Sequence, residues 1–331
     1  MRYCNSDGLN KKKQSFKNVD VSLQASNKAS KGETLCVVIP TKNRNDDLLL
    51  AVRSVLSQAR MPDELVIVDQ SVSNSADEMI HSLLVHYKQI EYKYIFDNTL
   101  SGLTAAKNVA IKIAASDIIC FIDDDIVMEK NFIWEILDVY KRIPSLSGVG
   151  GIAQLPEGKQ VWLRRFIAPL FQIGPFYDIR ILLQYGYMID KDIIPSRFLS
   201  GGCSALRREL FEHVQFNEIL VGASPVEDLD FYLRVAPHFK FAIACKAIAA
   251  HNISPVARSG LCRSYELKCL GFAHIFYSYM PKTPFNFFAF LWRNVGFVLD
   301  AVEKSVSYKT LDPFRGIIRG WKKVFNHRIT P

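Results

Sequence analysis

The chain of 331 residues is long enough for one large domain or two modest ones with a sizeable core. Hydrophobic residues make up 49% and charged residues 22%, which excludes a mainly disordered, collagen-like or coiled-coil protein. The formal net charge of +8 is concentrated at the two ends: residues 1–33 carry seven basic and three acidic side chains, and residues 257–331 carry twelve and four. Residues 34–256 carry 22 basic and 26 acidic side chains, so the middle of the chain is mildly acidic.

Residues 1–33 are rich in Asn, Ser, Gln and Lys, a composition that predicts a flexible basic leader. They contain no apolar run typical of a secretory signal, and the seven cysteines contain no C-x-x-C pair. We therefore expect reduced, mostly buried thiols and a cytoplasmic protein.

From residue 35 onward, short β-branched runs alternate with helical periodicity. The pattern predicts strands over residues 35–40, 64–69, 90–96 and 118–122, with helices over residues 76–87, 103–113 and after residue 45. Strands and helices that alternate at this spacing form βαβ units with a parallel sheet. In such sheets ligands bind at the carboxyl ends of the strands, where polar and acidic residues follow all four runs.

The next part of the chain continues this pattern less regularly. A helix over residues 131–142 and a glycine-rich strand precede residues 155–197, which show no clear period and are interpreted as a functional insertion. The sequence RFLSGGCSALRRELFEHV then predicts a strand and a short helix, VEDLDFYLRV a helix, and FKFAIACKAIAAH a strand. We expect a catalytic domain over residues 34–256, with halves at 34–150 and 151–256, and a helical, basic region over residues 257–331.

Three adjacent carboxylates, Asp123, Asp124 and Asp125, directly follow the buried run IICFI. Crowded carboxylates raise each other's pKa unless a cation lies among them, and Mg²⁺ or Mn²⁺ prefers such oxygen ligands. An acidic turn or a helix cap is the alternative. A second acidic group, Glu227, Asp228 and Asp230, opens a predicted helix, where the helix dipole alone also favours acids.

Several motifs in order resemble the family 2 glycosyltransferases over about residues 34–252. They are VVIPTKNRNDDLLLAVRSVLSQ, PDELVIVDQS, TAAKNVAIKIAASDIICFIDDDIV, GGCSALRRELFE and PVEDLDFYLRVA. The resemblance implies an α/β GT-A fold with a mixed, mainly parallel, Rossmann-like sheet flanked by helices. It also implies a nucleotide-diphospho-sugar donor, a divalent metal (Mn²⁺ or Mg²⁺), and transfer to an acceptor hydroxyl with inversion.

The resemblance also assigns roles to individual residues. It implies nucleotide binding by Pro40, Thr41, Asn43, Arg44, Asp69, Lys107 with the adjacent Asn108, Asp123 and Asp124. It implies metal binding by Asp123, Asp125 and His251, and a sugar-binding turn at Gly201 and Gly202. Asp228 looks like the catalytic base, with Glu227 beside it, whereas Gln70 replaces a frequent second Asp and leaves the identity of the base open.

Two other classes of protein remain as alternatives. The sequence DDDIV also fits the nucleophile strand of haloacid-dehalogenase-like phosphatases, with Asp123 as nucleophile, although that motif usually lies on the first core strand. A glycan- or nucleotide-binding protein that has lost turnover is the other alternative. The absence of G-x-G-x-x-G after LCVVIP excludes an NAD-type Rossmann enzyme.

The C-terminal region combines aromatic and basic residues. Polar residues interrupt the aromatic stretch 265–297, so we expect no transmembrane helix. Apolar residues between Phe314 and Phe325 recur at helical spacing among basic ones, which is typical of an interfacial amphipathic helix or of a helix docked on its own domain. An anionic membrane surface and a lipid-linked saccharide acceptor of surface polysaccharide assembly are the resulting hypotheses, and nucleic acid is not an expected partner.

Overall fold

The computed structural model describes residues 32–155, 167–187, 190–219, 226–253 and 260–326. The predicted leader lies outside the described residues except for Gly32 and Glu33, and so does part of the predicted insertion. From Glu33 onward the chain forms one compact unit.

Strands and helices alternate through the first half of this unit. The strands are β1 (Leu35–Thr41), β2 (Glu64–Asp69), β3 (Glu91–Phe96), β4 (Ile118–Ile122), β5 (Ile126–Met128), β6 (Gly148–Gln154), β7 (Ile193–Ser196), β8 (Cys203–Arg207) and β9 (Phe241–His251). The α-helices are α1 (Asn45–Leu56), α2 (Ser75–Leu84), α3 (Leu103–Ile113), α4 (Phe132–Arg142), α5 (Ile179–Gln184), α6 (Glu227–Val235), α7 (Leu261–Tyr279), α8 (Pro284–Tyr308) and α9 (Asp312–Phe325).

The described strands form one mixed sheet in the order β3-β2-β1-β4-β8-β6-β9-β5. The neighbouring strands β3, β2, β1 and β4 pair in parallel. Strand β8 runs antiparallel to its two neighbours, β4 and β6, and β6 pairs in parallel with β9. The short strands β5 and β7 both pair antiparallel with β9, at its opposite ends. The carboxyl ends of β1, β2 and β4 therefore lie at one edge of the sheet, with the start of β8 beside β4.

The core has two layers, one on each face of this sheet. All of β1 is buried, and its alternate residues belong to different hydrophobic clusters: Cys36 and Val38 to one, and Leu35, Val37 and Ile39 to the other. Side chains alternate between the faces of a strand, so a strand buried on both sides is uniformly apolar. This burial explains why the parallel strands β1, β2 and β4 are largely hydrophobic runs in the sequence.

The C-terminal helices pack on the cluster that contains Cys36 and Val38. The rings of Phe276 and Phe290 stack with centroids 4.5 Å apart, which joins α7 to α8. Helix α9 approaches α7 through Gly316 and Gly320, where an added Cβ would lie 2.2 Å from the Cys262 carbonyl oxygen and 2.7 Å from the Cys269 Cβ. These glycines allow the backbones of α7 and α9 to come close.

One face of α8 is uncovered among the described residues. It exposes apolar side chains at helical spacing, here called the α8 stripe: Phe285, Phe288, Leu291, Val295, Val298, Leu299, Val302 and Val306. No helix in the described ranges is long and apolar enough to span a bilayer.

The structure confirms the predicted mixed, mainly parallel sheet, its flanking helices and the helical C-terminal region. It adds β5, β7 and α5, which the sequence pattern did not predict. The six cysteines within the described residues are free thiols, and five of them are buried. The domain boundaries at residues 33/34, 150/151 and 256/257 stay predictions.

Candidate functional site

The loop after β1 is fastened to the loop after β2. Asn43 has a φ of 55°, a left-handed conformation that asparagine adopts more readily than most residues. Its side-chain oxygen accepts a hydrogen bond from the Val72 amide at 3.0 Å, and its own amide donates to the Ser71 hydroxyl at 2.7 Å. Pro40 and Thr41 are buried at the end of β1, directly beside this loop.

Asp69 is fully buried at the end of β2, and each of its carboxylate oxygens accepts a hydrogen bond. The Ser71 amide donates to one oxygen at 2.8 Å, and the Tyr94 hydroxyl donates to the other. Gln70, next to it, accepts a hydrogen bond from the Gly102 amide at 3.1 Å. Asp69 is thus held in a fixed position at the sheet edge, and Gln70 serves the loop that leads into α3.

The three aspartates after β4 form the turn between β4 and β5. Asp124 is buried and accepts hydrogen bonds from the Thr41 hydroxyl and from Arg44, both at 2.8 Å. Burial raises the pKa of Asp124 to about 6, although Arg44 opposes the shift. Asp124 therefore binds the loop after β1 to the turn after β4.

Burial also raises the pKa of Asp123, and the negative charge of Asp125 adds to the effect. Asp125 lies 3.3 Å from His251 Nε2 and 3.7 Å from Arg44. Its carbonyl accepts a hydrogen bond from the Asn252 amide at 2.9 Å, which ties the turn to the end of β9. The pairing of β5 with β9 thus explains why residues 125 and 251, far apart in the chain, are in contact.

Gly201 and Gly202 lie between the two acidic groups. A Cβ at Gly202 would lie 2.0 Å from Cγ of Asp123, and a Cβ at Gly201 would lie 2.5 Å from Oε1 of Glu227. Neither carboxylate leaves room for a side chain at these positions. The glycine pair brings the turn after β4 to the start of α6, about one hundred residues later in the sequence.

Lys107 connects α3 to α6. Its ammonium group is completely buried, lies 3.1 Å from Glu227, and faces the ring of Phe216 with 5.0 Å to the centroid. Burial raises the pKa of Glu227, and the charge of Lys107 opposes the shift. The neighbouring Asn108 exchanges hydrogen bonds with the Phe216 backbone, so it fixes the chain at residue 216.

Asp228, which follows Glu227 in α6, contacts Arg180 of α5. The same guanidinium donates to Asp178 at 2.7–3.1 Å and to the Leu199 carbonyl, which holds it firmly in place. The charges of Asp228 and Asp178 raise the pKa of Arg180 against the effect of burial. Arg180 was not assigned a role from the sequence, because α5 lies in the segment without clear periodicity.

Asp230, the third acid of the group, bonds to side chains of α6 and α7 and has a structural role. It is fully buried and accepts hydrogen bonds from Tyr279 at 2.7 Å and from Arg234 at 3.1 Å, and it lies 3.2 Å from His274. These donors outweigh burial and lower its pKa. Asp230 therefore fastens α6 to α7, and its pair with Arg234 is the i,i+4 contact expected from their spacing.

A pocket of about 190 Å³ opens beside Asp228. Its wall combines charged and aromatic side chains from α5, α6, α7, α8 and the segment before β8. The side chains used below are Arg180, Phe198, Asp228, Phe272 and Arg293. Of these, the sequence assigned a role only to Asp228.

Asp125 and His251 are the predicted metal ligands that face each other directly. The described part of the chain contains no group of three or more His, Cys, Asp or Glu arranged around one ion. Mg²⁺ is commonly held by one or two carboxylates plus substrate phosphates, so Asp125 fits such a cation, whereas the imidazole of His251 is a ligand more typical of transition-metal ions. Asp123 as a third ligand stays a prediction.

Comparisons with known proteins identify the family of this chain. The family model described as glycosyl transferase family 2 matches residues 36–215, more than half of the chain. The protein belongs to this family. The match includes the loop after β1, the aspartate turn and the glycine pair, and it confirms the resemblance stated from the motifs.

Curated relatives cover parts of the chain. An N-acetylglucosaminyltransferase of Azorhizobium caulinodans is 30% identical over 135 residues, which is 40% of this chain and 33% of that protein. An uncharacterized glycosyltransferase of Haemophilus influenzae is 28% identical over 91 residues, 28% of this chain and 36% of the relative. The matched part is thus about a third of the length of these two relatives. YwdF of Bacillus subtilis, an uncharacterized glycosyltransferase, is 26% identical over 62% of this chain and 69% of its own length.

Solved structures confirm the GT-A fold. S. aureus TarS 1–349 in complex with UDP-GlcNAc superposes with a TM-score of 0.57 and 17% identity, covering 90% of this chain and 82% of TarS 1–349. The mannosyltransferase PcManGT of Pyrobaculum calidifontis, in complex with GDP-Man and Mn²⁺, gives 0.56 and 12%, covering 89% and 87%. At these identities the likeness concerns the fold alone.

Proposed function

We propose that this chain transfers a sugar from a nucleotide-diphospho-sugar donor to an acceptor hydroxyl, with inversion at the anomeric carbon. The observation that carries the proposal is the glycine pair, where Asp123 lies against Gly202 while Glu227 and Asp228 lie against Gly201. Inverting transfer is an in-line displacement, which needs leaving-group stabilisation on one side of the sugar and a base on the other. The two acidic groups that meet at the glycine pair would supply these functions, with Asp123 toward the leaving group and Asp228 as the base.

The donor nucleotide would lie at the carboxyl ends of β1, β2 and β4. Asp69 and the loop with Pro40, Thr41 and Asn43 would contact the nucleoside, together with Asp123 and Asp124. Arg44 is the cation beside the aspartate turn, and Lys107 lies 3.1 Å from Glu227. Both would contribute positive charge toward a diphosphate. Their charge would stabilise the departing nucleotide.

A divalent cation, Mn²⁺ or Mg²⁺, would be held by Asp125 and His251, with Asp123 as the further predicted ligand. Such an ion neutralises the developing charge on a leaving diphosphate. Mn²⁺ is present in the PcManGT complex and in the structure of GalNAc-T7 with UDP and GalNAc, both of the same fold. Arg44 would remain as the protein's own positive charge at this position.

Asp228 would accept the proton of the acceptor hydroxyl as the oxygen attacks the anomeric carbon. It faces the pocket, where an acceptor can enter, and Arg180 fixes its orientation. Glu227 is engaged with Lys107 and keeps a structural role next to the base.

The test is calorimetric titration of UDP, GDP and dTDP, each with Mn²⁺ or with EDTA. We expect one nucleotide to bind in a metal-dependent way, and the Asp125→Ala variant to lose this binding. Asp117→Ala is the matched control, because Asp117 precedes β4 at the opposite end of the strand and bonds to Thr34.

Binding of no nucleotide, or equal binding by wild type and Asp125→Ala, would contradict the donor site. That result would favour the alternative of a phosphatase with Asp123 as nucleophile. Asp123 follows the fourth strand of the chain, whereas the phosphatase motif usually lies on the first core strand. Nucleotide binding without sugar transfer to any tested saccharide would favour the inactive binding protein.

We also propose that the protein binds peripherally to the cytoplasmic face of a membrane, where it would meet its acceptor. The α8 stripe contains eight exposed apolar side chains and no charge, and the neighbouring helix α9 exposes Arg315, Arg319, Lys322 and Lys323. Apolar side chains and basic side chains together are the chemistry that binds an anionic lipid surface. A lipid-linked saccharide of surface polysaccharide assembly would be presented there.

Sedimentation with vesicles tests this location. We expect vesicles that contain anionic lipid to pellet the protein at low salt, and Val298→Asp with Val302→Asp in the α8 stripe to abolish pelleting. Val72→Asp, an exposed valine near the donor loop, is the control. Equal pelleting with neutral vesicles, or no effect of the stripe substitutions, would contradict the proposal.

A further inference from the structure

The pocket beside Asp228 contains a second guanidinium that the proposed chemistry does not use. Arg293, on the inner side of α8, lines the pocket together with Asp228 and Phe272. Its position in the sequence lies in the aromatic stretch, 65 residues after the candidate base. No motif of the donor site includes it.

The two arginines of the pocket have opposite surroundings. Arg180 donates hydrogen bonds to both Asp178 and Asp228. The Nε of Arg293 is buried and has no hydrogen-bond partner in the described structure. The guanidinium of Arg293 instead lies 5.0 Å from the ring centroid of Phe272 and 5.7 Å from that of Phe297.

Such an arrangement is costly in the free protein. A buried donor without an acceptor loses its hydration without compensation, and burial lowers the pKa of Arg293, while the charge of Asp178 opposes the effect. Contacts with aromatic faces compensate a part of this cost. A ligand that supplies oxygen acceptors would remove the rest, because the planar guanidinium fork matches carboxylate and phosphate groups.

We propose that Arg293 binds an anionic group of the acceptor, a phosphate or a carboxylate, while the acceptor hydroxyl lies at Asp228. The acceptor would then be an acidic or phosphorylated saccharide, and the aromatic wall with Phe198 and Phe272 would pack against its sugar ring. This inference rests on the proposed function, since it assigns the pocket to the acceptor. It names the acceptor's chemical class and a residue that selects it.

Binding of small probes tests the inference directly. Glucose 1-phosphate and glucuronic acid carry the two anionic groups, and glucose is the neutral comparison. We expect Arg293→Gln to weaken binding of the effective probe by about tenfold or more, which is the range for a lost hydrogen bond to a charged group. Whichever of the two probes binds wild type more tightly identifies the anionic group.

Arg44→Gln and Arg197→Gln are the controls. A phosphate probe could also enter the donor site, and in that case Arg44→Gln would abolish its binding while Arg293→Gln would not, which would overturn the inference. Arg197 is exposed, its guanidinium lies 5.4 Å from the ring centroid of Phe198, and it does not line the pocket, so Arg197→Gln should leave probe binding unchanged.

Nucleotide titration separates this inference from the proposed function. Arg293→Gln should bind the nucleotide as wild type does, and Arg44→Gln should bind it more weakly. If wild type binds no nucleotide, the proposed function fails, whatever the probes do. If the nucleotide binds and Arg293→Gln retains full probe affinity, the inference alone fails.

Thermal unfolding of Arg293→Met provides a second readout that needs no ligand. Methionine fills the apolar wall without a buried donor, so we expect a Tm equal to that of wild type or higher. A Tm several degrees lower would mean that the guanidinium is a packing group, and it would overturn the inference.

Discussion

The proposed donor edge of the sheet and the proposed acceptor pocket satisfy their polar groups in different ways. At the donor edge, Asp69 and Asp124 already have hydrogen-bond donors within the protein. In the pocket, Arg180 bonds to two aspartates, while the buried Nε of Arg293 has no partner among the described residues. Asp69 and Asp124 thus have partners within the protein, whereas the Nε of Arg293 has none in the described structure.

The difference follows from where the side chains come from. Donor-edge residues follow successive parallel strands, so the sheet itself brings them together. Pocket residues come from five separate segments, and only tertiary packing places them side by side. We expect substitutions at the donor edge to affect nucleotide affinity, and substitutions around the pocket to affect turnover or the docking of the helices.

The largest effect is expected from Asp228→Asn. Removing a general base typically lowers the rate by about 10²- to 10⁴-fold, and the amide keeps the shape of the side chain. Steady-state release of nucleotide from the donor measures the rate, and calorimetry should give unchanged nucleotide affinity. Asp138→Asn on α4, away from the site, is the control; a rate loss of less than tenfold in Asp228→Asn would assign the base elsewhere.

Asp230→Asn should destabilise the fold by about 3 kcal/mol at neutral pH, since it breaks a buried charge cluster between α6 and α7. The folded-state pKa of Asp230 is lowered, so its contribution is present above the unfolded-state pKa of about 3.9 and is lost as the pH falls through the folded value. Urea unfolding at pH 7 and at pH 3.5 measures this difference. A stability gap between variant and wild type that persists undiminished at the lower pH would contradict the electrostatic explanation.

Gly202→Ala should weaken the donor edge, because its Cβ would overlap the Asp123 carboxylate. Overpacking of this kind costs about 1–3 kcal/mol, and we expect both a lower Tm and weaker nucleotide binding. Gly260→Ala is the matched control, since no atom of the described residues lies within 4 Å of its added Cβ. Equal Tm values for the two variants would show that the turn after β4 relaxes freely.

The smallest effect is expected from Thr41→Val, which removes one hydrogen bond to Asp124. Arg44 still holds that carboxylate, so the loss should be about 1 kcal/mol in the free energy of unfolding. Thr104→Val is an instructive control, because the buried Thr104 hydroxyl has no hydrogen-bond partner in the described residues. Urea unfolding should show that Thr104→Val is neutral or stabilising. If Thr104→Val were more destabilising than Thr41→Val, the hydrogen bond from Thr41 to Asp124 would not explain the stability difference.

The sequence predicted the donor half of the fold well for a physical reason. Strands buried on both faces are continuous apolar runs, and β2 and β4 have the predicted bounds. Strands β5 and β7 were missed because they are only three and four residues long and are defined by their pairing with β9. No local pattern distinguishes such strands from loops.

The pocket was less predictable. Arg180 and Arg293 are 113 positions apart, and neither belongs to a periodic motif, so only the packing of α5 and α8 reveals that they line one cavity. The pattern over residues 314–325 could not distinguish a membrane-facing helix from a docked one. In the structure α9 docks on α7 through Gly316 and Gly320, and the larger exposed apolar face belongs to α8.

Asp230 has a consequence for how this protein could be engineered. Because its carboxylate bonds to His274 and Tyr279, the helix that carries Asp228 is anchored to a helix from the C-terminal region. The C-terminal helices therefore cannot be exchanged between relatives as a cassette that alters acceptor choice alone. A chimera joined between α6 and α7 would need a matching partner for Asp230, or the graft would disturb the reaction centre together with the substrate preference.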